Sequence, residues 1–209
     1  MIIAVDGPTA SGKGTIAARL AEHFGLKRLD TGALYRAVGL AVLDAGKDPS
    51  DEGAAVETAR KIDLHAIDER RIRTAAAAAA ASKVAVFHDV RAALYEAQRS
   101  FAQAPGGAVL DGRDIGTVIC PDAEVKIFVT AALKVRAARR HKELEGRGEA
   151  ITLAEVERQI AERDARDANR ADAPLRQAED AHLLDTSELD VEGAVAAAIT
   201  LVDVALAER

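Results

Sequence analysis

A glycine-bearing loop near the start of the chain contains the first residues whose types and spacing could do chemistry. An apolar run at residues 1–6 precedes this loop, and an amphipathic stretch at 16–24 follows it. Gly7 and Gly12 let the turn curl without Cβ clashes, so that successive backbone N–H groups can point at one anion. Lys13 adds a positive charge where the β- and γ-phosphates of a nucleotide would lie. The alternative is a turn that only closes a strand–helix unit, with Lys13 in solvent. Strand, spacing, lysine and hydroxyl together favour binding of a nucleoside triphosphate, through Gly7, Pro8, Thr9, Ala10, Ser11, Gly12, Lys13, Gly14 and Thr15.

The loop departs from the common phosphate-binding pattern just after its lysine. Gly14 stands where a Ser or Thr usually follows, and Thr15 comes one residue later. We therefore expect no hydroxyl bonded directly to Mg²⁺. Because this ion keeps several waters, phosphate oxygens and water can hold it without a protein ligand. The Gly-Lys-Gly-Thr ending resembles nucleoside monophosphate kinases more than GTPases or motor ATPases.

The densest polar cluster is Asp111-Gly112-Arg113-Asp114, which follows a buried-type strand. Three charges at a strand end are costly unless they meet partners or a ligand. Arg113 can make a bidentate hydrogen-bonded pair with a phosphate, and Asp114 can accept hydrogen bonds from the amino group of a base. The alternative is an internal ion pair that closes a turn.

Two arginine clusters lie further along the chain. Arg163, Asp167 and Arg170 are spaced four and three residues apart, which places them on one face of a predicted helix. Such a run is also typical of a solvated, salt-bridged helix. The second cluster consists of Arg136, Arg139 and Arg140. On an acidic chain, arginine clusters indicate local regions of positive electrostatic potential that would bind anionic substrates.

A further phosphate site is predicted at Asp30-Thr31-Gly32, where a short strand gives way to a helix. Thr31 lies at the expected helix N-terminus, whose backbone N–H groups favour an anion. An ordinary N-cap is the alternative, and the two roles can coexist.

The elements that must position these residues alternate along the chain. Apolar runs predict five strands, at 1–6, 26–30, 108–111, 125–130 and 182–185. Helices are predicted at 16–24, 33–44, 51–62, about 132–145, 152–168 and 191–207. Seven alanines from Ala75 to Ala81 predict one helix running on towards Ala104, a disordered spacer being the alternative. The fold class is thus α/β: one domain, residues 1–209, with a five-stranded parallel sheet flanked by helices. Its ligands are expected beyond the carboxyl ends of the strands, with the ends at Asp30 and Asp111 near the phosphate loop.

Composition limits the possible functions. A formal net charge of −6 and an aromatic content of 3% argue against nucleic-acid binding. The five histidines are dispersed, so we expect surface or structural roles rather than a metal site, and we expect the single cysteine, Cys120, to be buried. No apolar run is long enough to span a bilayer, and the first strand begins where a signal peptide would lie. A cytoplasmic location is expected.

Four motifs, in order and over nearly the whole chain, resemble bacterial cytidylate kinases of the P-loop nucleoside monophosphate kinase family. They are Gly-Pro-x-x-Ser-Gly-Lys-Gly-Thr at 7–15, Leu-Asp-Thr-Gly-Ala-Leu-Tyr-Arg at 29–36, Asp-Gly-Arg-Asp-Ile-Gly-Thr-Val at 111–118, and Arg-Asp-x-Arg-Asp-x-Asn-Arg-x-x-Ala-Pro-Leu at 163–175. The second and third motifs are highly specific, since adenylate kinases share only the loop and the general arginine scheme.

The resemblance implies roles for these residues. ATP would bind at 7–15, with Arg136, Arg139 and Arg140 in a mobile lid at about 136–170. CMP would bind in a segment at about 31–100 and at residues beyond it, through Thr31, Arg36, Ser82, Arg91, Asp111, Arg113, Asp114, Arg163, Asp167 and Arg170. Within this set, Ser82, Arg91 and Asp114 would read cytosine, and Asp167 with Arg163 would contact the ribose. The catalytic residues would be Lys13, Arg113, Arg163 and Arg170.

The implied reaction transfers the γ-phosphoryl group of ATP, with Mg²⁺, to CMP or dCMP, catalysed by a monomer. Relatives of the long bacterial type carry a small β-rich insert where this chain has only about ten residues, at 63–73. Two alternatives remain open at this point. One is a kinase of the shikimate or dephospho-coenzyme A type, with a hydroxyl acceptor and Asp30 or Asp111 as base. The other is a regulatory nucleotide switch, which would want a Ser or Thr ligand to Mg²⁺ where Gly14 stands.

Overall fold

A computed structural model describes residues 1–63 and 67–208 and places five parallel strands in one sheet. The strands are β1 (Ile2–Asp6), β2 (Lys27–Asp30), β3 (Ala108–Gly112), β4 (Val125–Thr130) and β5 (His182–Asp185), in the spatial order β2-β3-β1-β4-β5. Asp6, at the end of β1, lies opposite Gly112 of β3 and Phe128 of β4. The phosphate loop therefore leaves the middle of the sheet, beside the end of β3.

Helices cover both faces of the sheet, as the sequence predicts. They are α1 (Lys13–Phe24), α2 (Thr31–Asp44), α3 (Glu52–Lys61), α4 (Ala75–Val84), α5 (His88–Gln103), α6 (Leu133–Glu145), α7 (Leu153–Asn169) and α8 (Val191–Ala207). One face of the sheet packs on α1 and α8, and the other on α5 and a π-helical turn at Ile115–Ile119. The predicted fold class is confirmed.

The prediction of one continuous helix from Ala75 to Ala104 is wrong. The chain turns between α4 and α5, and Phe87 adopts an extended conformation there, with ψ of 124°. The two helices pack on different partners, α4 on α2 and α5 on α3, which a single straight helix could not do. Alanine propensity favours the helix but contains no information about where the chain must turn.

Small residues allow α2 and α4 to pack unusually closely. A Cβ added to Gly39 would lie 2.8 Å from the carbonyl carbon of Ala80 and 2.8 Å from the backbone nitrogen of Ala81. Helices α2 to α5 share a core of their own, which includes Tyr35 and Leu94. Helices α6 and α7 share a smaller one.

The structure also bears on the cysteine, on possible metal ligands and on the length of the helices. Cys120 is buried, as expected. Across 1–63 and 67–208, no group of His, Cys, Asp and Glu side chains could hold a metal ion. None of the helices in that same part of the chain is long and apolar enough to cross a membrane. His65 and part of the segment at 63–73 lie outside the described residues, so the expectations for them stay untested.

Candidate active site

The phosphate loop links β1 to α1 through several left-handed backbone conformations. Gly12 has φ of 91°, and Ala10 has φ of 61°, which is uncommon for a residue with a side chain. A Cβ at Gly7 would lie 2.0 Å from the carbonyl oxygen of Val129, so no larger residue fits there. The Nζ of Lys13 donates to the carbonyl oxygen of Pro8 at 3.1 Å, and this bond keeps the lysine against its own loop.

Burial and a neighbouring arginine disfavour the positive charge of Lys13. Burial, and after it the positive charge of Arg113, lowers the pKa of Lys13 from 10.5 to about 7, although Asp111 opposes the shift. A negatively charged group placed against Nζ would reverse this effect. The loop is therefore arranged for an anionic ligand.

The carboxyl ends of β2 and β3 contribute two carboxylates, and both are paired. Asp30 caps α2 by accepting from the backbone N–H of Ala33 at 3.2 Å and pairs with Arg36 at 2.7 Å. Burial acts to raise the pKa of Asp30, but Arg36 outweighs it and the pKa falls below its usual range.

Asp111 contacts side chains of β2 and α2. Its Oδ1 pairs with Arg28 at 2.9 Å, and its backbone carbonyl accepts from the Oγ1 of Thr31 at 2.9 Å. Burial, with a smaller contribution from Asp30, raises the pKa of Asp111. Thr31 is thus the first residue of α2 rather than its N-cap, which is Asp30.

Arg113 connects the phosphate loop to α7. Its Nη2 donates to the Oγ1 of Thr9 at 2.8 Å, and its Nε donates to the carboxylate of Asp167 at 2.9 Å. Burial acts to raise the pKa of Asp167, but Arg113 and then Arg163 outweigh it, so that the pKa is lowered. The guanidinium group of Arg113, at the end of β3, therefore contacts both the phosphate loop and α7.

A second buried cluster forms around Asp114. Its Oδ2 accepts from Arg91 at 2.5 Å, and its Oδ1 lies 3.4 Å from the Nη2 of Arg170. Arg91 also contacts the Oη of Tyr35 at 3.4 Å and Asp172 at 3.2 Å. The structure thus brings together Arg91, Asp114 and Arg170 of the predicted acceptor site.

Two arginines of α7 reach across to α4. Arg166 donates from Nε to the Oγ of Ser82 at 3.2 Å, and Arg163 approaches the carbonyl oxygen of Ala78 at 3.5 Å. Ser82 therefore lies beneath α7, where its hydroxyl is occupied by Arg166.

Within residues 1–63 and 67–208, two buried guanidinium atoms of this site are without a hydrogen-bond partner. They are the Nε of Arg163 and the Nη2 of Arg170. Both approach carboxylates, Arg163 at 3.8 Å from Asp167 and Arg170 at 3.4 Å from Asp114, without the geometry of a hydrogen bond. Burial, and then Arg113, lowers the pKa of Arg163 to about 10. Unsatisfied buried cations of this kind are suited to a multiply charged anion.

The arginines of α6 do not form one group. Arg136 is buried, donates to the carbonyl oxygen of Thr9 at 3.2 Å, and pairs with Asp164 of α7 at 2.7 Å. Arg139 instead donates to the backbone carbonyl of Thr186 at 2.6 Å, and Arg140 pairs with Glu143 at 2.8 Å. In the described residues, Arg136 is thus the member of the three with a contact to the phosphate loop.

Several residues that support the site were not identified from the sequence, among them Asp6, Arg28, Tyr35, Asp164 and Thr186. The sequence places the strand ends at Asp30 and Asp111 near the loop, and the structure brings the end of β5 there as well. The Oγ1 of Thr186, after β5, donates to the carbonyl oxygen of Ser11 at 3.0 Å. The sequence signal for this contact is Asp185-Thr186, an acidic residue followed by a small polar one at a strand end, as at Asp30-Thr31.

The family model and the curated relatives identify one family. The family model described as cytidylate kinase matches residues 3–204. The chain is 57% identical to the cytidylate kinase of Rhodopseudomonas palustris strain TIE-1, over all of this chain and 99% of that protein. It is 59% identical to the cytidylate kinase of Methylocella silvestris, over 97% of this chain and 94% of that protein. A crystal structure of an uncharacterized protein from Eubacterium ventriosum is similar in fold, with a TM-score of 0.58 and 15% identity over 97% of this chain and 98% of that one.

Proposed function

The chain belongs to the cytidylate kinase family, and we propose on this basis that it transfers the γ-phosphoryl group of ATP to CMP, giving CDP and ADP. The match over residues 3–204 is the observation that supports this activity. We extend the proposal to dCMP and to the roles of individual residues below. These roles rest on the contacts and charges of the described residues.

The donor site is the loop at 7–15. Backbone N–H groups of the loop and of the first turn of α1 would face the phosphates of ATP, since a helix N-terminus favours anions. Lys13 would leave the carbonyl of Pro8, which it now contacts at 3.1 Å, and bind the β- and γ-phosphates. Its lowered pKa supports this role, because the anion would restore the ammonium charge.

The acceptor phosphate would be bound by Thr31 and by arginines that now pair with, or lie against, carboxylates. Arg36 pairs with Asp30, Arg113 with Asp167, and Arg170 lies 3.4 Å from Asp114. A phosphate offers three oxygens and more charge than a carboxylate, so that it can replace these partners. Arg163, whose Nε lacks a hydrogen bond, would face the group in transfer.

The nucleoside would lie between α5 and α7. Arg91 and Asp114 present a buried donor and acceptor pair, which matches the carbonyl, ring nitrogen and amino group along the edge of cytosine. Ser82 would join them when Arg166 releases its hydroxyl. Asp167 would accept from the ribose. We expect dCMP to react too, because among the described residues the side chains that approach the Asp167 carboxylate are the charged groups of Arg113 and Arg163 rather than neutral hydrogen-bonding groups.

The chemistry needs no general base. A phosphate monoester has a second pKa of about 6, so that the acceptor oxygen is already largely ionised at neutral pH. Catalysis then consists of alignment and of offsetting the repulsion between two anions. Asp30 and Asp111 are both engaged by arginines, which argues against their acting as bases for a hydroxyl acceptor.

Magnesium fits this site as a companion of the nucleotide. Gly14 offers no hydroxyl, and the Oδ1 of Asp111 is occupied by Arg28, so that phosphate oxygens and water would supply the ligands. The Oδ2 of Asp111 faces Gly14, 3.7 Å from where a Cβ would lie, and could accept a hydrogen bond from a coordinated water. When bound, the ion reduces the charge on the phosphates.

Water must be excluded, because ATP would otherwise be hydrolysed. Helix α7 already lies over the site, through the contact of Arg113 with Asp167 and that of Arg166 with Ser82. We propose that α6 and α7 act as the lid, at about 136–170, and that α2 to α5 act as the acceptor-binding segment, at about 31–100. The monomeric state and the cytoplasmic location stay predictions from the sequence.

A coupled assay of ADP formation, with ATP and Mg²⁺ against a panel of nucleoside monophosphates, tests this function. We expect CMP and dCMP to be phosphorylated, with a kcat/KM for AMP and GMP lower by about three orders of magnitude or more. A chain that phosphorylates shikimate or dephospho-coenzyme A but not CMP would refute the proposal. A chain that hydrolyses ATP at the same rate without an acceptor would do so as well.

A further inference from the structure

A buried carboxylate links the phosphate loop at 7–15 to the segment at 113–116, which follows β3. Asp6 is the last residue of β1 and is 5% exposed. Its Oδ1 accepts from the backbone N–H of Ile115 at 2.8 Å, and its Oδ2 accepts from the backbone N–H of Gly116 at 2.8 Å. Each oxygen thus binds a different amide of the same loop.

The two amides lie next to the residues that would bind CMP. Ile115 and Gly116 directly follow Arg113 and Asp114, while Asp6 directly precedes Gly7 of the phosphate loop. One side chain therefore joins the strand that ends in the donor loop to the segment that presents both the phosphate-binding guanidinium and the base-reading carboxylate. Few rotatable bonds separate these groups, so that their relative positions depend on this contact.

Burying the carboxylate of Asp6 costs free energy, which indicates that its two hydrogen bonds to the loop serve a function. A carboxylate taken out of water is unfavourable unless hydrogen bonds compensate for its lost hydration. Burial raises the pKa of Asp6 to about 7, and the N–H groups of Gly116 and Ile115 oppose the rise. An apolar residue would fill this place without the electrostatic cost, but it could not bind two backbone amides.

The loop fits closely against Asp6 from its other side too. A Cβ on Gly116 would lie 3.4 Å from the Oδ2 of Asp6 and 3.1 Å from the Cδ of Lys126. The first contact to be relieved is the one with Lys126, and the distance to Asp6 is at the edge of ordinary contact, so that an alanine at 116 would shift the loop relative to both side chains. The backbone N–H groups of Val118 and Ile119 bond to the carbonyl of Asp114 at 2.9 and 3.1 Å, which makes the segment a rigid turn.

We propose that Asp6 is a positioning residue for phosphoryl transfer, which holds Arg113 and Asp114 in register with the phosphate loop. The proposal rests on the proposed function, since it assigns CMP to that loop. Asp6 does not touch substrate in this account. It acts through the backbone of Ile115 and Gly116.

The test is Asp6→Asn, which keeps the size of the side chain but replaces one acceptor oxygen with a donor. KM for CMP and KM for ATP are measured in the same preparation, because neither depends on the fraction of active enzyme. We expect KM for CMP to rise by about tenfold or more, as one lost charge-assisted hydrogen bond would allow, and KM for ATP to change by less than about threefold. Gly116→Ala, which presses on the same contact from the loop side, should raise KM for CMP in the same direction.

Asp190→Asn is the matched control. Asp190 also accepts from a backbone N–H at 2.8 Å, that of Gly193, but it caps α8 and lies outside the site. Because Asn caps helices about as well as Asp, this variant should change thermal stability little and leave both KM values unchanged. If Asp6→Asn lowers only the amount of folded enzyme, with both KM values as in the parent, Asp6 is merely structural and the proposal is wrong. If Asp6→Asn does not fold, an unchanged KM for CMP in Gly116→Ala overturns it. A parent chain inactive with CMP would instead refute the proposed function.

Discussion

Replacing Asp114 with alanine should damage both stability and the use of CMP, by amounts that follow from its contacts. The substitution removes the carboxylate between Arg91 and Arg170, whose side chains are only 6% and 4% exposed. Removing one member of a buried ion pair costs about 3–5 kcal/mol, because the other charge is left uncompensated. Since Asp172 still contacts Arg91 at 3.2 Å, we take the lower value. For a chain of 209 residues, about 3 kcal/mol corresponds to a fall in Tm of about 6–12 °C.

The catalytic effect of the same substitution follows from the lost hydrogen bond to the base. A hydrogen bond to a charged group is worth about 1.5–3 kcal/mol, so that kcat/KM for CMP should fall by about 10- to 150-fold. KM for ATP should change by less than about threefold, because the hydrogen bonds and ion pairs described for Asp114 do not involve the donor loop. Thermal unfolding gives the first quantity, and coupled kinetics with CMP and with ATP give the others.

Asp172→Ala serves as the control for this prediction. It removes the other carboxylate on Arg91, but Asp172 is 37% exposed, so that the loss of stability should stay below about 1 kcal/mol. Equal losses in the use of CMP and ATP by the Asp114 variant would refute the assignment of Asp114 to the base. So would equal effects of the Asp114 and Asp172 variants on CMP.

Three further predictions concern the donor loop and the helix packing. Lys13→Met should reduce kcat by about two orders of magnitude or more, with a circular dichroism spectrum like that of the parent; near-normal turnover would contradict the role of the loop. Binding of ATP at pH 8 should take up nearly one proton, because Lys13 has a pKa of about 7 without the nucleotide and the anion raises that pKa. Calorimetry in buffers of different ionisation enthalpy measures this uptake. An equal uptake by Lys13→Met would show that the proton binds elsewhere. Gly39→Ala should lower the free energy of unfolding in urea by about 1–3 kcal/mol, since its Cβ would lie 2.8 Å from the backbone of Ala80. Gly53→Ala is the control, because among the described atoms its Cβ would approach the Oδ1 of Asp51 at 3.4 Å without a closer contact. Equal effects of the two substitutions would argue against close packing of α2 on α4.

Local patterns were sufficient to predict most of the fold. The run at 1–6, the loop and the start of α1 are contiguous, so that their spacing alone indicates a strand, a turn and a helix. β4 and β5 occupy the predicted residues, Val125–Thr130 and His182–Asp185. The break between α4 and α5 could not be predicted, because it depends on which helices each of them packs against.

The sequence alone could not predict which residues of the site pair with each other. Arg113 and Thr9 are 104 residues apart, and Arg28 and Asp111 are 83 apart. The sequence shows the residue types but not the strand order that brings them together. Arg139 illustrates the difficulty, since its spacing groups it with Arg136, whereas the structure directs it to the carbonyl of Thr186.

The central claim is that site arginines exchange carboxylate partners for the phosphates of two nucleotides. A crystal structure with CMP and a non-hydrolysable ATP analogue tests it most directly. The account predicts Arg36, Arg113 and Arg170 within about 3 Å of oxygens of the CMP phosphate, as charge-assisted hydrogen bonds require. It is contradicted if, with both nucleotides bound, these arginines remain on Asp30, Asp167 and Asp114 and the CMP phosphate lies elsewhere.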